Sequence, residues 1–251
     1  PRAVEVIVTL AESALHDLGY AQADKLLTEA AEDLSGHPDV LRLQAQSAAL
    51  QGDLKTAAER LKQAVEANPL RQQTLALHAF LPALQGHEPT AADLDALFAL
   101  AGQPAPPPGT AETIDARLAA LFRTNPKPGV FLYELGRLFE TQRKFALAEK
   151  CYLKAVEVMP QLSAPKTELG RLYFQTGRVE EAKKLLDAAF KADPFHVRVS
   201  NLRKVIRVLD GYATTTTPHF VIRADAQLDG VLARYMAEYL EEIYPVITER
   251  Y

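Results

Sequence analysis

LYELGRLFETQRKFALAEKCYLKAVEVMP, residues 132–160, is followed by KTELGRLYFQTGRVEEAKKLLDAAFKADP, residues 166–194, and the two runs read as one pattern used twice. Gly136 and Gly170, Ala148 and Ala182, Ala155 and Ala189, and Pro160 and Pro194 are each 34 residues apart. Leu135 and Leu169 precede the two glycines, and Phe139 and Tyr173 follow them three residues later. Each residue type has a physical reason. A glycine lets two antiparallel helices approach closely, and alanines do the same on the second helix. Bulky residues fill the spaces between, and a proline, lacking a donor, ends the second helix. Four coincidences at one offset specify a helical hairpin and its copy.

This pattern resembles the tetratricopeptide repeat, a hairpin of ~34 residues with Leu-Gly, an aromatic, two spaced alanines and a terminal proline. The resemblance implies an all-α fold, a tetratricopeptide α-solenoid built as a right-handed superhelix of about twelve helices. It also implies a scaffold whose first helices line a concave groove for a protein or peptide partner. It does not say which partner.

The N-terminal part carries weaker copies. Ala23 and Ala57, and Ala30 and Ala64, again differ by 34, and Ala45 replaces the first-helix glycine. Gly19 and Gly52-Asp53 mark the turns, and Asn68-Pro69 a stop. Between Leu70 and Asn125 the register degrades. A helix runs to Gln85 with Pro82 bending or ending it. Thr90 caps another through Ala101, Asp93 standing in for the glutamate of a capping box. Gly102 to Gly109, Gly-Gln-Pro-Ala-Pro-Pro-Pro-Gly, cannot be helical, and Thr110 to Thr124 resumes a helix. Three helices here break the alternation of hairpins. We therefore divide the chain into repeats over 1–102, a proline-rich linker over 103–109, and repeats with a capping helix over 110–211. A last piece, 212–251, completes the division.

That last piece changes character. Phe220 to Arg223 predicts a short C-terminal β-strand with no sequence-local partner, and a long helix follows to about Arg250. Its apolar stripe runs from Leu228 through Leu232, Tyr235 and Tyr239 to Ile247, too wide for a solvent-exposed helix. The stripe is expected to dock on the capping helix near Val205 and Leu209, or to mediate self-association. The segment from Thr217-Pro-His-Phe-Val-Ile-Arg223 through Gly230–Tyr244 resembles the opening strand and first helix of gluzincin-type (peptidase MA-like) metallopeptidase domains. This resemblance implies the non-catalytic N-terminal portion of a bacterial zinc metallopeptidase, with its His-Glu-x-x-His helix beyond Tyr251. No two of His16, His37, His78, His87, His196 and His219 are spaced as i and i+4, so this chain carries no such motif.

Composition bounds the rest. A net charge of -4 gives no basic stripe for nucleic acid. Cys151 alone excludes an internal disulfide and favours a reducing compartment, the cytoplasm over export. A chain that opens on Pro1 reads as a fragment, compatible with a lost leader. No apolar run approaches the ~20 residues of a membrane span. Cys151 lacks an evident base, and neither a G-x-S-x-G elbow nor a phosphate loop occurs. The expectation is therefore no catalysis, cofactor or metal in this chain. Projecting the repeat onto its groove face selects Tyr133, Arg137 and Glu140, then Thr167, Arg171 and Phe174, with Arg198 and Asn201 on the capping helix. Arg137 and Arg171, one repeat apart, would form a basic ladder for an acidic group or C-terminal carboxylate. The competing reading is a solvated face with Arg137 and Arg171 paired to Glu140 and Glu168. The chaperone-binding Lys and Asn set of related adaptors is not reproduced.

Overall fold

Small residues set the spacing between helices throughout. In the computed structural model the described residues are 2–17, 19–34, 36–87, 89–99, 116–125 and 127–249. Twelve α-helices precede a short hairpin and a thirteenth helix among them. They are α1 (Arg2–His16), α2 (Tyr20–Leu34), α3 (Pro38–Leu50), α4 (Leu54–Ala67), α5 (Gln72–Leu84), α6 (Ala91–Ala99) and α7 (Ala116–Thr124). There follow α8 (Gly129–Thr141), α9 (Phe145–Val158), α10 (Ser163–Gln175), α11 (Val179–Ala192) and α12 (Val197–Asp210). The hairpin strands are β1 (Ala213–Thr216) and β2 (Val221–Ala224), and α13 (Gly230–Thr248) closes the series. The chain divides into two compact units, Pro1–Leu169 and Gly170–Tyr251.

In the first unit α1 packs on α2, α3 on α4 and α8 on α9, three hairpins as the repeat requires. The first helices also neighbour one another, α1 beside α3, α3 beside α5, and α5 beside α8. The array thus continues from α5 directly to α8. Gln72 Oε1 accepts the Phe131 backbone N–H at 2.9 Å, and Phe80 meets Phe139 edge-on at 5.5 Å between ring centres. α6 and α7 lie to the side, against α9 and α5 respectively. The helices that flank the expected 103–109 linker therefore sit in one unit, and the division of the chain falls at Leu169/Gly170. The proline-rich stretch itself lies outside the described residues, as do the expected ends at Ala101 and Thr110.

Local chemistry explains the helix ends. Thr90 and Asp93 exchange bonds, Thr90 N–H to Asp93 Oδ2 at 2.7 Å and Asp93 N–H to Thr90 Oγ1 at 3.2 Å, the reciprocal cap read from the sequence. His37 and His196 cap α3 and α12 with ring nitrogens that accept the Asp39 and Val199 amides. Pro82 falls in the last turn of α5, two residues before the helix stops.

The closest approach is at Gly136. A Cβ built there would stand 2.6 Å from Tyr152 Cε1 and 3.2 Å from Cys151 Cβ, and Tyr152 is wholly buried. Ala148 and Ala155 complete the contact from α9, both buried. In the second unit the equivalent Gly170 stands 2.8 Å from Leu186 Cγ by the same measure, with Ala182 and Ala189 buried beside it.

In the second unit α11 packs on α12, and α13 packs on β1 and β2. The strand expected to lack a local partner has one. β2 pairs antiparallel with β1, Ala213 opposite Ala224 and Thr216 opposite Val221. The threonine run supplies β-branched residues, and Pro218-His219 make the connection. α13 faces this hairpin with Ala233, Ala237, Glu241 and Tyr244, one side of the helix at steps of three and four. His219 stacks on Tyr244 at 3.7 Å, its Nδ1 lies 2.7 Å from Glu241 Oε2, and its backbone N–H donates to Glu241 Oε1 at 2.9 Å. The outer apolar stripe of α13 is not covered: Tyr235 is 68% exposed and Leu232 58%. Val205 on α12 is also exposed, so docking of the stripe onto the capping helix at that point is not what the fold shows.

Two outcomes follow from this packing. Gly136→Ala gains about 1 kcal/mol of helix propensity but forces a methyl into a buried tyrosine ring, which costs roughly 1–3 kcal/mol. The net change is a loss, larger for Gly136→Leu, and chemical denaturation should show a lowered midpoint for both. The Glu241 carboxyl is held down to about 2 by the His219 side chain first, then by the Thr217 hydroxyl and the His219 amide. Because its value is depressed, the contact is fully present above the ordinary 4.5 and is lost as pH falls through about 2. A carboxyl-carbon NMR titration should place Glu241 near that low value, and His219→Ala should return it towards the ordinary one.

Candidate functional site

One side of the first unit is formed where first helices adjoin, α1 beside α3, α3 beside α5 and α5 beside α8. Glu12 of α1, Asp39 and Arg42 of α3, Arg71 before α5, and Glu134 and Arg137 of α8 form a band of charge across it. Arg42 is buried and pairs with Glu12; its Nε lies 3.8 Å from Asp39, which also meets Arg71 at 2.7 Å. The band reaches α8 because Glu134 feels both Arg42 and Glu12.

Arg137 is the centre of its outer end. Its guanidinium lies 3.3 Å from Glu134 and 5.8 Å from the centre of the Tyr133 ring. Burial works against the cation, but Glu134, Tyr133 and Glu168 more than offset it and its pKa is raised. Burial pushes Glu134 above the ordinary carboxylate value, against the opposing pull of Arg137 and Arg42. Glu140 accepts the Tyr152 hydroxyl at 2.8 Å, and burial drives that phenol far above its usual range. The Cys151 thiol is likewise pushed up by burial, which leaves it inert at neutral pH.

The expected site residues fall into two groups. Tyr133, Arg137, Glu140 and Thr167 lie in the first unit; Arg171, Phe174, Arg198 and Asn201 lie in the second. Tyr133, Arg137 and Glu140 are all partly exposed on α8. Thr167 does not offer itself: it is buried, and its hydroxyl donates to the Ser163 carbonyl. In the second unit Arg171 donates to Gln175 on its own helix, Phe174 is half-buried, and Arg198 and Asn201 are exposed on α12.

Sequence reasoning named Glu140 and Glu168 as partners of the two arginines but overlooked Glu134, which lies 3.3 Å from Arg137. Glu134 and Glu168 are themselves 34 residues apart, so the repeat that selected the arginines carries a glutamate three places before each. The signal was present at the same offset. No group of three or more metal-ligating side chains occurs among the described residues, and no helix among them is long and apolar enough to cross a membrane. An apolar cleft of about 470 Å³ opens between α5, α6, α7 and α8, lined by Ala79, Pro82, Leu94, Leu97, Leu118 and Phe139.

Comparison with known proteins is specific about one stretch. Residues 141–206 match the tetratricopeptide repeat family. The fold class is thus all-α, helical hairpins of the tetratricopeptide type, with a short two-stranded sheet and a long final helix. No curated protein matches the chain. Among solved structures, the thermophilic tetratricopeptide protein TTC0263 of Thermus thermophilus is 19% identical, with a TM-score of 0.47 over 82% of this chain and 99% of that one. PilW, a type IV pilus biogenesis factor, is 18% identical with a TM-score of 0.43, over 98% and 95% of the two chains. YrrB, a tetratricopeptide protein with an unusual peptide-binding site, is 14% identical with a TM-score of 0.36, over 79% and 90%. These values are too low to transfer any property of those proteins to this one.

Arg137 holds several half-buried carboxylates in place, so Arg137→Ala should destabilise the first unit by about 1–3 kcal/mol at neutral pH. The sign with pH is set by Glu134. Its raised pKa favours the protonated form in the fold, a contribution fully present below 4.5 and lost as pH rises through the folded value. The penalty of Arg137→Ala should therefore shrink on acidification, as read by denaturant midpoints at pH 7 and near pH 4. An equal penalty at both would show that Arg137 acts by packing alone.

Proposed function

We propose that this chain is a protein-interaction scaffold without chemistry of its own, and that the α8 end of the first unit's charged band takes an extended peptide. The observation that supports it is the set Tyr133, Glu134, Arg137 and Glu140, an aromatic ring among partly exposed charges on the side where first helices adjoin. Such a set offers a peptide ring stacking and charge-assisted hydrogen bonds without a conformational search by the scaffold. The polarity of the ligand follows from the count of charges. One guanidinium is met by Glu134 and Glu168, while Glu140 accepts from Tyr152, so an incoming carboxylate faces two like charges for one opposite at Arg137. A lysine, arginine or neutral polar group on the peptide is favoured over the acidic group that an arginine ladder alone would select. Arg171 and Phe174 hold the equivalent places in the next repeat and offer a second set of similar chemistry.

Peptide arrays probed with the intact chain, followed by calorimetry, would test this. Basic and neutral peptides should bind in preference to acidic ones, and Glu134→Lys should weaken the basic ones about tenfold or more. Preference for acidic peptides, undiminished by Arg137→Glu, would overturn it.

A second reading makes the chain the non-catalytic N-terminal portion of a zinc metallopeptidase, and one observation favours it. The strand Val221–Ala224 followed by the long helix Gly230–Thr248 has the order that the resemblance implies. No residue here is assigned a zinc-binding role. A His-Glu-x-x-His helix encoded beyond Tyr251 would carry this reading, and a stop codon there would end it.

A further inference from the structure

α13 carries apolar residues on two opposite sides. One side, around Ala233, Ala237 and Tyr244, is turned to the hairpin. The other places Leu232, Tyr235, Tyr239 and Val246 at steps of three, four and seven, the spacing of a helix seam, with Leu228 in the turn just before the helix, and all five are exposed. A helix that is apolar on both sides is an inner layer. One edge of this bare seam is acidic, with Glu238 and Glu242 both exposed, Arg234 lies beyond them, and the other edge carries Met236.

α12 presents the complement. Val197, Asn201, Val205 and Val208 recur at steps of four, four and three, all exposed, and Phe195 just before the helix is 91% exposed. The edges of this stripe are basic, with Arg198, Lys204 and Arg207 exposed along it. The same unit therefore displays two bare apolar stripes of opposite edge charge, and neither covers the other.

We propose that these stripes form a self-association surface, in which the basic-edged stripe of α12 in one copy packs against the acid-edged stripe of α13 in a second copy. Charge selects this pairing over two α13 stripes, which would set Glu238 and Glu242 against their own copies. Area supports it as well. At the usual size of large side chains the two stripes present on the order of 1,400 Å² per copy. Covering about half of that in both copies removes roughly 1,400 Å² in total, within the range of a specific interface. A reciprocal arrangement uses both stripes of each copy and closes the dimer.

Sedimentation equilibrium of the intact chain over a wide concentration series tests the proposal, with circular dichroism to verify folding. The wild type should be dimeric at high concentration. Lys204→Glu with Arg207→Glu should raise the dissociation constant about tenfold or more, as should Glu238→Lys with Glu242→Lys. Combining all four substitutions should restore dimerisation, because the edge charges are exchanged and still opposite. A monomer at every concentration overturns the proposal. So does a dimer that the α13 reversal strengthens, since that is the behaviour of α13 paired with itself. Binding of peptides to the α8 surface is unaffected by either result.

Discussion

The distance between α8 and α9 is set by one missing Cβ. With Gly136 opposite Tyr152, the two helices come close enough that a fully buried tyrosine can send its hydroxyl to Glu140 on the opposing helix. That single approach aligns several other features. Ala148 and Ala155 have no room to be larger, and Phe139 is carried into contact with Phe80 of α5. The carboxylate that receives the tyrosine lies one turn from Arg137. Close packing thus determines the position of the charged surface, and a change in the hairpin spacing would disperse it. The cost of burying the phenol is met because its only polar atom has a partner.

The 34-residue offset made most of the helical fold legible, and it did so for a physical reason. Positions that touch a neighbouring helix tolerate few residue types, so they repeat, whereas positions facing water drift. The same reason limits the reading. Offset arithmetic identifies which residues occupy equivalent places but not which charges meet, so Glu140 and Glu168 are named as partners of the arginines while Glu134, the carboxylate in contact with Arg137, is not. The expectation of a strand without a sequence-local partner passes over the threonine run just before it, whose β-branched residues form β1. The irregular region was legible in its elements and not in its placement. Three helices between regular hairpins do not reveal that α6 and α7 step aside while α5 goes straight to α8.

The charged band raises a question of magnitude. Buried ion pairs seldom add net stability, because desolvation of each ion costs several kcal/mol that attraction must offset. Arg42 is the case in point. It is buried on α3 and hydrogen-bonds Glu12 of α1, while its Nε stands 3.8 Å from Asp39 and makes no hydrogen bond there. A hydrophobic residue there would be no less stabilising and would say nothing about register. The ionic arrangement does, since its members come from α1, α3, the start of α5 and α8, first helices that adjoin one another. We read the inner end of the band as a register device and the outer end, where Tyr133 and Arg137 reach solvent, as the part available for recognition.

The second unit obeys a different balance. An isolated two-stranded hairpin is marginal in water, and here it is supported by one helix through two alanines, a ring stack and a histidine–carboxylate contact. None of these buries much apolar surface, and the large side chains of α13 point the other way. Whatever covers that outer side contributes more hydrophobic free energy than the hairpin itself supplies, since each large side chain fully buried is worth about 1.5–3 kcal/mol. Order in the tail and association through it are then linked: a species that binds only the folded tail stabilises it by mass action. The repeats need no such help, as their hairpins bury their own interfaces. The chain therefore combines hairpins that bury their own interfaces with a tail to which the proposed dimer would add stability, and the two can be perturbed separately.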